Sequence, residues 1–207
     1  MAVITISRQF GAGGITLGKM ITDKLGYTFA DNEIVQMIAR GANVSTAWAR
    51  AVDREAGNLK LRFISRRVSQ YWINRVIEHG RGYLDDRIYL DYLVLIIAQL
   101  ADEGDAVILG RGSQYILQDH PDAYHLLLLD EFENRVRFMM KHYDMDQDRA
   151  TEVVIHEDKR RANLYRMLGK KDYDQPSLYH AVLNMGRIDL DTALNFILRM
   201  IQKPPKK

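Results

Sequence analysis

The chain has 207 residues, which at about 150 residues per domain suits one domain carrying an inserted subdomain. Apolar residues at 47% and charged residues at 27% exclude a disordered or collagen-like chain, and 29 Lys+Arg against 27 Asp+Glu leave +2, too even for a whole-surface nucleic-acid binder. There is no cysteine for a disulfide scaffold or a thiolate zinc site, no apolar run of roughly 18 residues to span a membrane, and no signal-peptide stretch in MAVITISRQF, so a soluble, cytoplasmic protein is expected.

Ala2 to Ile6 is a short apolar run with the length of a buried parallel strand. Ser7 to Gly14 is a glycine-containing turn. A helix is predicted over Ile15 to Leu25, where Leu17, Met20, Ile21 and Leu25 fall near helical spacing and Gly26 stops it. Tyr27 to Ala30 reads as a second strand. This β-turn-α-β opening is that of a nucleotide-binding α/β fold.

From Asp31 to about Gly104 the chain reads helical. Tyr89 to Leu100 is its most apolar helix. Lys60, Arg62, Arg66, Arg67, Arg75 and Arg81, interleaved with Phe63, Tyr71 and Trp72, suit an amphipathic flap helix better than an RNA-binding face. A third strand is predicted over Ala106 to Leu109 and a fourth over Tyr124 to Leu129. Helices follow over Glu131 to His142 and Asp146 to Leu168, then a polar loop from Gly169 to Pro176. His180 to Met185 reads as a fifth strand and Asp189 to Ile201 as a closing helix with Asp189 as its N-cap. The histidines are scattered without metal-ligand spacing, so no metal site is expected.

The turn Ser7-Arg8-Gln9-Phe10-Gly11-Ala12-Gly13-Gly14-Ile15-Thr16 carries three glycines in four residues, more than a turn needs. Between a strand and a helix, such a turn lets backbone N–H groups approach an anion, and the helix N-terminus adds about half a positive charge. Phosphate is the natural guest. A full phosphate loop reads G-x-x-x-x-G-K-[ST]. Here Arg8 stands at the first glycine, Gly14 at the lysine, and Ile15 after it, while Lys19 lies more than a helical turn beyond. Two other readings stay open. The glycines can serve packing alone, or Gly11-x-Gly13 can begin a dinucleotide fingerprint with Asp31 on a ribose. Against the latter, Thr16 replaces its third glycine and a helical insertion follows Asp31.

Together with Gly110-Arg111-Gly112 and the late arginines, the chain resembles the cytidylate kinase-like family. The pieces that carry the likeness are Ile4-Thr-Ile-Ser-Arg-Gln-Phe-Gly-Ala-Gly-Gly14, Leu25-Gly-Tyr-Thr-Phe-Ala-Asp31, Ala106-Val-Ile-Leu-Gly-Arg-Gly112, Asp158-Lys-Arg-Arg161 and Tyr179-His-Ala-Val-Leu-Asn184. The resemblance implies a P-loop kinase-like α/β/α fold with a five-stranded parallel sheet in order 2-3-1-4-5. It implies a helical monophosphate-binding insertion over about 31–104 and a lid over about 144–176, within one domain. It also implies phosphoryl transfer from ATP to CMP or dCMP with Mg2+. Two departures bear on catalysis: Gly14 replaces the family's loop lysine, and Ser7 replaces the acid after its first strand.

Phosphoryl transfer depends on positioning and on cancelling negative charge. The N–H groups of Gly11, Ala12, Gly13, Gly14 and Ile15 are placed to hold a β-phosphate, and the Thr16 hydroxyl an α-phosphate. Arg8 is the first candidate for the missing cation, since a guanidinium matches phosphate oxygens bidentately. By the resemblance, Arg111 is similar to the arginine that grips the monophosphate. Asp31 would accept from ribose or base, or cap the helix after it. Arg161 and Arg166 are lid candidates for the transferring group, with Asp158 orienting one of them. Their spacing does not put both on one face, and a solvated, salt-bridged helix is the plainer alternative. Two further functions remain open, a non-catalytic nucleotide sensor and a dinucleotide enzyme, and so does a homo-oligomer.

Overall fold

The structure is a computed structural model that describes residues 2–31 and 86–202. The basic stretch from Lys60 to Arg81, most of the expected insertion, and the tail from Lys203 lie outside the described residues. The chain divides into two compact units, Met1–Phe29 with Leu100–Lys207, and Ala30–Gln99.

The first strand, β1, is Val3–Arg8, followed by helix α1 at Gly14–Leu25 and strand β2 at Thr28–Ala30. Helix α2, Asp86–Glu103, leads into β3, Ala106–Leu109, and a one-turn helix α3, Ser113–Ile116. Then come β4 at Ala123–Leu129, α4 at Phe132–Tyr143 and α5 at Gln147–Met167. A 3-10 turn at Pro176–Leu178 precedes β5, Ala181–Asn184, and α6, Leu190–Ile201. The five strands are ordered β2-β3-β1-β4-β5, as expected. No helix among the described residues is long and apolar enough to cross a membrane.

Register explains the apolar runs. Ile4 lies beside Val107 and Ile6 beside Leu109 on β3; Ile6 also pairs with Leu126, and Leu128 with Leu183. These side chains share one face, which Leu17 and Ile21 of α1 and Ala193 and Ile197 of α6 cover in one apolar cluster. The opposite face carries Thr5, Ser7 and His125, all buried. Strand β3, buried on both faces, reads as an unbroken apolar segment, whereas β1 and β4 carry buried polar residues on the second face.

Most predicted boundaries fall within two residues. Gly26 ends α1 in the left-handed region at φ 71, and Asp189 caps α6 by accepting from the Thr192 N–H. The clearest difference is β1. It continues to Arg8 because Ser7 and Arg8 pair with Leu127 and Leu128 of β4, so Ser7 is a strand residue and not the start of the turn. The short α3 was not anticipated. In the second unit, Leu93, Ile96 and Ile97 of α2 are buried and Val94 and Leu95 exposed, an amphipathic helix at ordinary spacing.

The polar residues of the second face make their own network. Thr5 Oγ1 meets His125 Nδ1 at 2.8 Å, and the His125 N–H donates to His180 Nδ1 at 2.9 Å. Burial, reinforced by His180, lowers the His125 pKa from 6.5 to about 4. Its protonated form is favoured in the unfolded chain, so stability is full above pH 6.5 and falls as pH drops toward 4. A shift of this size corresponds to about 3 kcal/mol. Denaturant titrations at pH 7 and pH 4 are expected to differ more for the wild type than for His125→Gln by about that amount. Equal pH dependence in the two proteins would remove His125 as its cause.

Candidate phosphate-binding site

The carboxyl ends of parallel strands share one edge, where ligands of open α/β sheets bind. Here that edge carries the turn from Gln9 to Gly13 after β1 and the turn Gly110-Arg111-Gly112 after β3. The first turn is closed by the Ala12 N–H donating to the Gln9 carbonyl at 3.1 Å. Gln9 is fixed from both ends. Its N–H donates to the Leu128 carbonyl, and its Oε1 accepts from the Asp130 N–H.

Gly11 and Gly13 sit at φ 85 and φ 77, where L side chains are strained. At Gly11 space is a second constraint, since an added Cβ would lie 2.8 Å from the Arg135 carbonyl oxygen of α4. Gly13 is the N-cap of α1 and offers no capping side chain. The first amides of α1, from Gly14 to Thr16, therefore have no intrahelical acceptor. They are donors for an anion, with the helix dipole behind them.

The position of the absent lysine is sterically occupied. A Cβ on Gly14 would lie 3.0 Å from Arg8 Cγ and 3.3 Å from Leu109 Cδ1. The stem of Arg8 fills the space that a side chain at residue 14 would need. Its guanidinium continues across to Gly110, where a Cβ would overlap Arg8 Nη1. One cation thus bridges the two glycine turns.

In the second turn Gly110, Arg111 and Gly112 are all left-handed, at φ 69, 59 and 70. Glycine adopts this freely, whereas Arg111 is held there at a cost of about 1–2 kcal/mol. Arg111 is half-buried.

Behind the turns runs α5. Asp158 Oδ1 accepts from the Phe10 N–H at 3.1 Å, and its Oδ2 pairs with Arg135 Nη1 at 2.7 Å. The same Nη1 donates to the Phe10 carbonyl at 2.9 Å. Deeper in, Tyr165 is buried and its hydroxyl meets Ser7 Oγ at 2.9 Å, Gln114 Nε2 at 3.0 Å and Arg161 Nε at 3.3 Å. The amide and the guanidinium only donate here, so the Tyr165 proton goes to Ser7. Arg161 also pairs with Asp174, and its guanidinium lies over the rings of Tyr165 and Tyr173. Burial works against the charged form of Arg161, but Tyr165 and Asp174 outweigh it and raise its pKa. Tyr179 donates to Asp174 Oδ1 at 3.2 Å, and burial raises its pKa.

The first unit thus brings together Arg8, Gly11 to Thr16, Arg111 and Asp158. Asp158 orients Arg135 and the loop backbone, not one of its neighbours on α5. Arg161 is engaged by Asp174 and Tyr165. Arg166 is exposed and bonds Asn163 of its own helix. Asp31 falls in the second unit. Sequence reasoning missed Arg135, Gln114, Tyr165, Asp174 and Tyr179. A signal did exist in α5, where Asp158, Arg161, Tyr165 and Leu168 repeat at coiled-coil-like spacing on one face.

The model of the cytidylate kinase-like family matches residues 3–187. The chain belongs to that family. Among solved structures, an uncharacterized protein from Eubacterium ventriosum is similar at 18% identity and a TM-score of 0.68, covering 98% of this chain and 99% of that one. Shikimate kinase from Bacteroides thetaiotaomicron is similar at 13% identity and a TM-score of 0.52, over 98% and 99%. A gluconokinase from Sinorhizobium meliloti follows at 11% and 0.55, over 97% and 91%. At such identities the likeness to these structures is one of fold. None of the curated proteins compared with the sequence matches it.

Proposed function

We propose that this member of the cytidylate kinase-like family is a phosphotransferase that moves the γ-phosphoryl group of ATP to CMP or dCMP. The observation that carries the proposal is the uncapped start of α1 beside Arg8, whose stem fills the space at Gly14 and whose guanidinium extends to Gly110. A kinase loop without its lysine needs a cation at that place, and Arg8 supplies one. The amides of Gly11, Gly13, Gly14 and Ile15 hold the β-phosphate, since the expected Ala12 amide instead closes the turn onto the Gln9 carbonyl, and Thr16 reaches the α-phosphate. Arg8 neutralises charge developing on the transferred group, where electrostatic stabilisation acts most strongly. Arg111 grips the monophosphate. The protein works in the cytoplasm. Among the described residues no group of three His, Cys, Asp or Glu is placed to hold a metal ion. Mg2+ enters with the ATP substrate.

The test is direct. Purified protein with Mg·ATP and CMP is expected to yield ADP and CDP, measured by chromatography. No product from any common nucleoside monophosphate would sink the proposal. Gly14 in place of lysine favours a second reading, a non-catalytic nucleotide sensor. That reading expects thermal stabilisation by ATP, following RT ln(1 + [L]/Kd), without turnover.

A further inference from the structure

Helix α5 meets the two glycine turns and the strand end before the first of them at three separate points. Near its middle, Asp158 accepts the Phe10 N–H at the crest of the first turn. Two helical turns later, the Tyr165 hydroxyl meets Ser7 at the end of β1. At its C-cap, Leu168 occupies the space that a Cβ on Gly112 would take in the second turn. Positions 158, 161, 165 and 168 lie on one face. Arg161, between the outer contacts, joins Tyr165 to Asp174 in the loop beyond the helix. From the other side, Arg135 of α4 ties Asp158 to the Phe10 carbonyl. Both backbone groups of Phe10 are therefore held by side chains 23 residues apart in sequence, one on each helix.

We propose that Asp158, Arg135 and Tyr165 are positioning residues that hold the glycine turn in its anion-accepting shape. Helix α5 then acts as a fixed back wall to the phosphate site, not as a swinging lid. The physical reason is preorganisation. A glycine-rich turn has many accessible conformations, and an unrestrained one must be ordered at the moment of binding, which weakens affinity. The Asp158 carboxylate and Arg135 cation impose one conformation through charge-assisted hydrogen bonds. The Tyr165 hydroxyl, satisfied by Gln114 and Arg161 and donating to Ser7, fixes the strand end from which the turn departs. This mechanism explains why a serine suffices at residue 7. Its role here is to join the clamp.

The role of the clamp in affinity rests on the proposed phosphate site, but the restraint itself is measurable without nucleotide. Hydrogen exchange of the free protein reads it at the hydrogen-bonded amide of Ala12, and for Tyr165→Phe also at that of Phe10, with β4 as the internal reference. Tyr165→Phe removes one hydroxyl and keeps the ring. Asp158→Ala removes the second anchor. Each is expected to raise exchange in the turn about tenfold and leave Leu126 to Leu128 unchanged. Unchanged exchange in the turn would overturn the proposal, and so would an equal rise in the turn and in β4. If Asp158→Ala does not fold, Tyr165→Phe decides alone. In a parallel arm, ATP titration by calorimetry is expected to give about tenfold weaker binding for Tyr165→Phe. Wild-type protein that bound no ATP would sink the kinase proposal and leave the exchange result standing.

Discussion

Exchanging the cation between residues 8 and 14 is expected to have the largest effect on activity. Arg8→Ala should lower kcat/KM for ATP by about 100- to 1,000-fold, the range seen when one preorganised donor to developing charge is removed. Gly14→Lys, which restores the usual loop residue, should not improve the enzyme. Its Cβ would meet Arg8 Cγ at 3.0 Å and Leu109 Cδ1 at 3.3 Å. Forcing it in would displace Arg8 and destabilise the fold by about 1–3 kcal/mol. In the double variant Arg8→Ala/Gly14→Lys the Cγ contact is gone and the Cβ of residue 8 stands 3.4 Å from the new one, which leaves only the side-chain end Leu109 Cδ1, at 3.3 Å, to shift slightly. It should regain most of the activity that Arg8→Ala loses. Steady-state kinetics on the three variants and wild type, with thermal melts as controls, form a double-mutant cycle whose coupling is strongly non-additive. Arg8→Ala within threefold of wild type, or a double variant no better than Arg8→Ala, would remove Arg8 from the role.

How much of this was legible in the sequence depends on the range of each interaction. The strands and the parallel α/β class follow from local signals, namely short apolar segments and a β-α-β opening, whereas the strand order came from the resemblance to the cytidylate kinase-like family. The glycine turn was equally local. Arg8 was readable as a candidate because it lies within that turn, but the reason for its place was not. That reason is steric, and it needs Gly14 at the start of α1 and Gly110 after β3 both beside Arg8. Ser7 appeared as a departure from the family pattern, and its meaning came only from Tyr165, 158 residues away. Arg135 illustrates the limit. Within α4 it reads as one more charged residue among several, whereas the fold buries it against Phe10 and Asp158. Partners brought together by the sheet edge leave no periodic mark on the strands themselves. They leave one on α5, because a helix lying along an edge meets it every third or fourth residue.

Arg111 offers the second large effect, and its strain makes the test discriminating. A residue retained for stability would not be chosen at φ 59 between two left-handed glycines. Replacing it with glycine removes the Cβ penalty of about 1–2 kcal/mol and adds back part of it as unfolded-chain entropy. The net is a gain of up to about 1 kcal/mol, equivalent to roughly 2–4 °C in Tm for a chain of this size. Arg111→Ala keeps the Cβ and should gain nothing. Both variants lose the guanidinium, so both should lower kcat/KM for CMP by at least about 100-fold, the range for one lost charge-stabilising donor at a phosphoryl-transfer site. ATP affinity, measured by calorimetry, should change by less than about threefold, because the α1 amides and Arg8 are untouched. The expected pattern is therefore one variant that is more stable and inactive beside one that is merely inactive. If Arg111→Gly melts below the wild type, the guanidinium contributes to folding. If CMP use survives both substitutions, the monophosphate is gripped elsewhere.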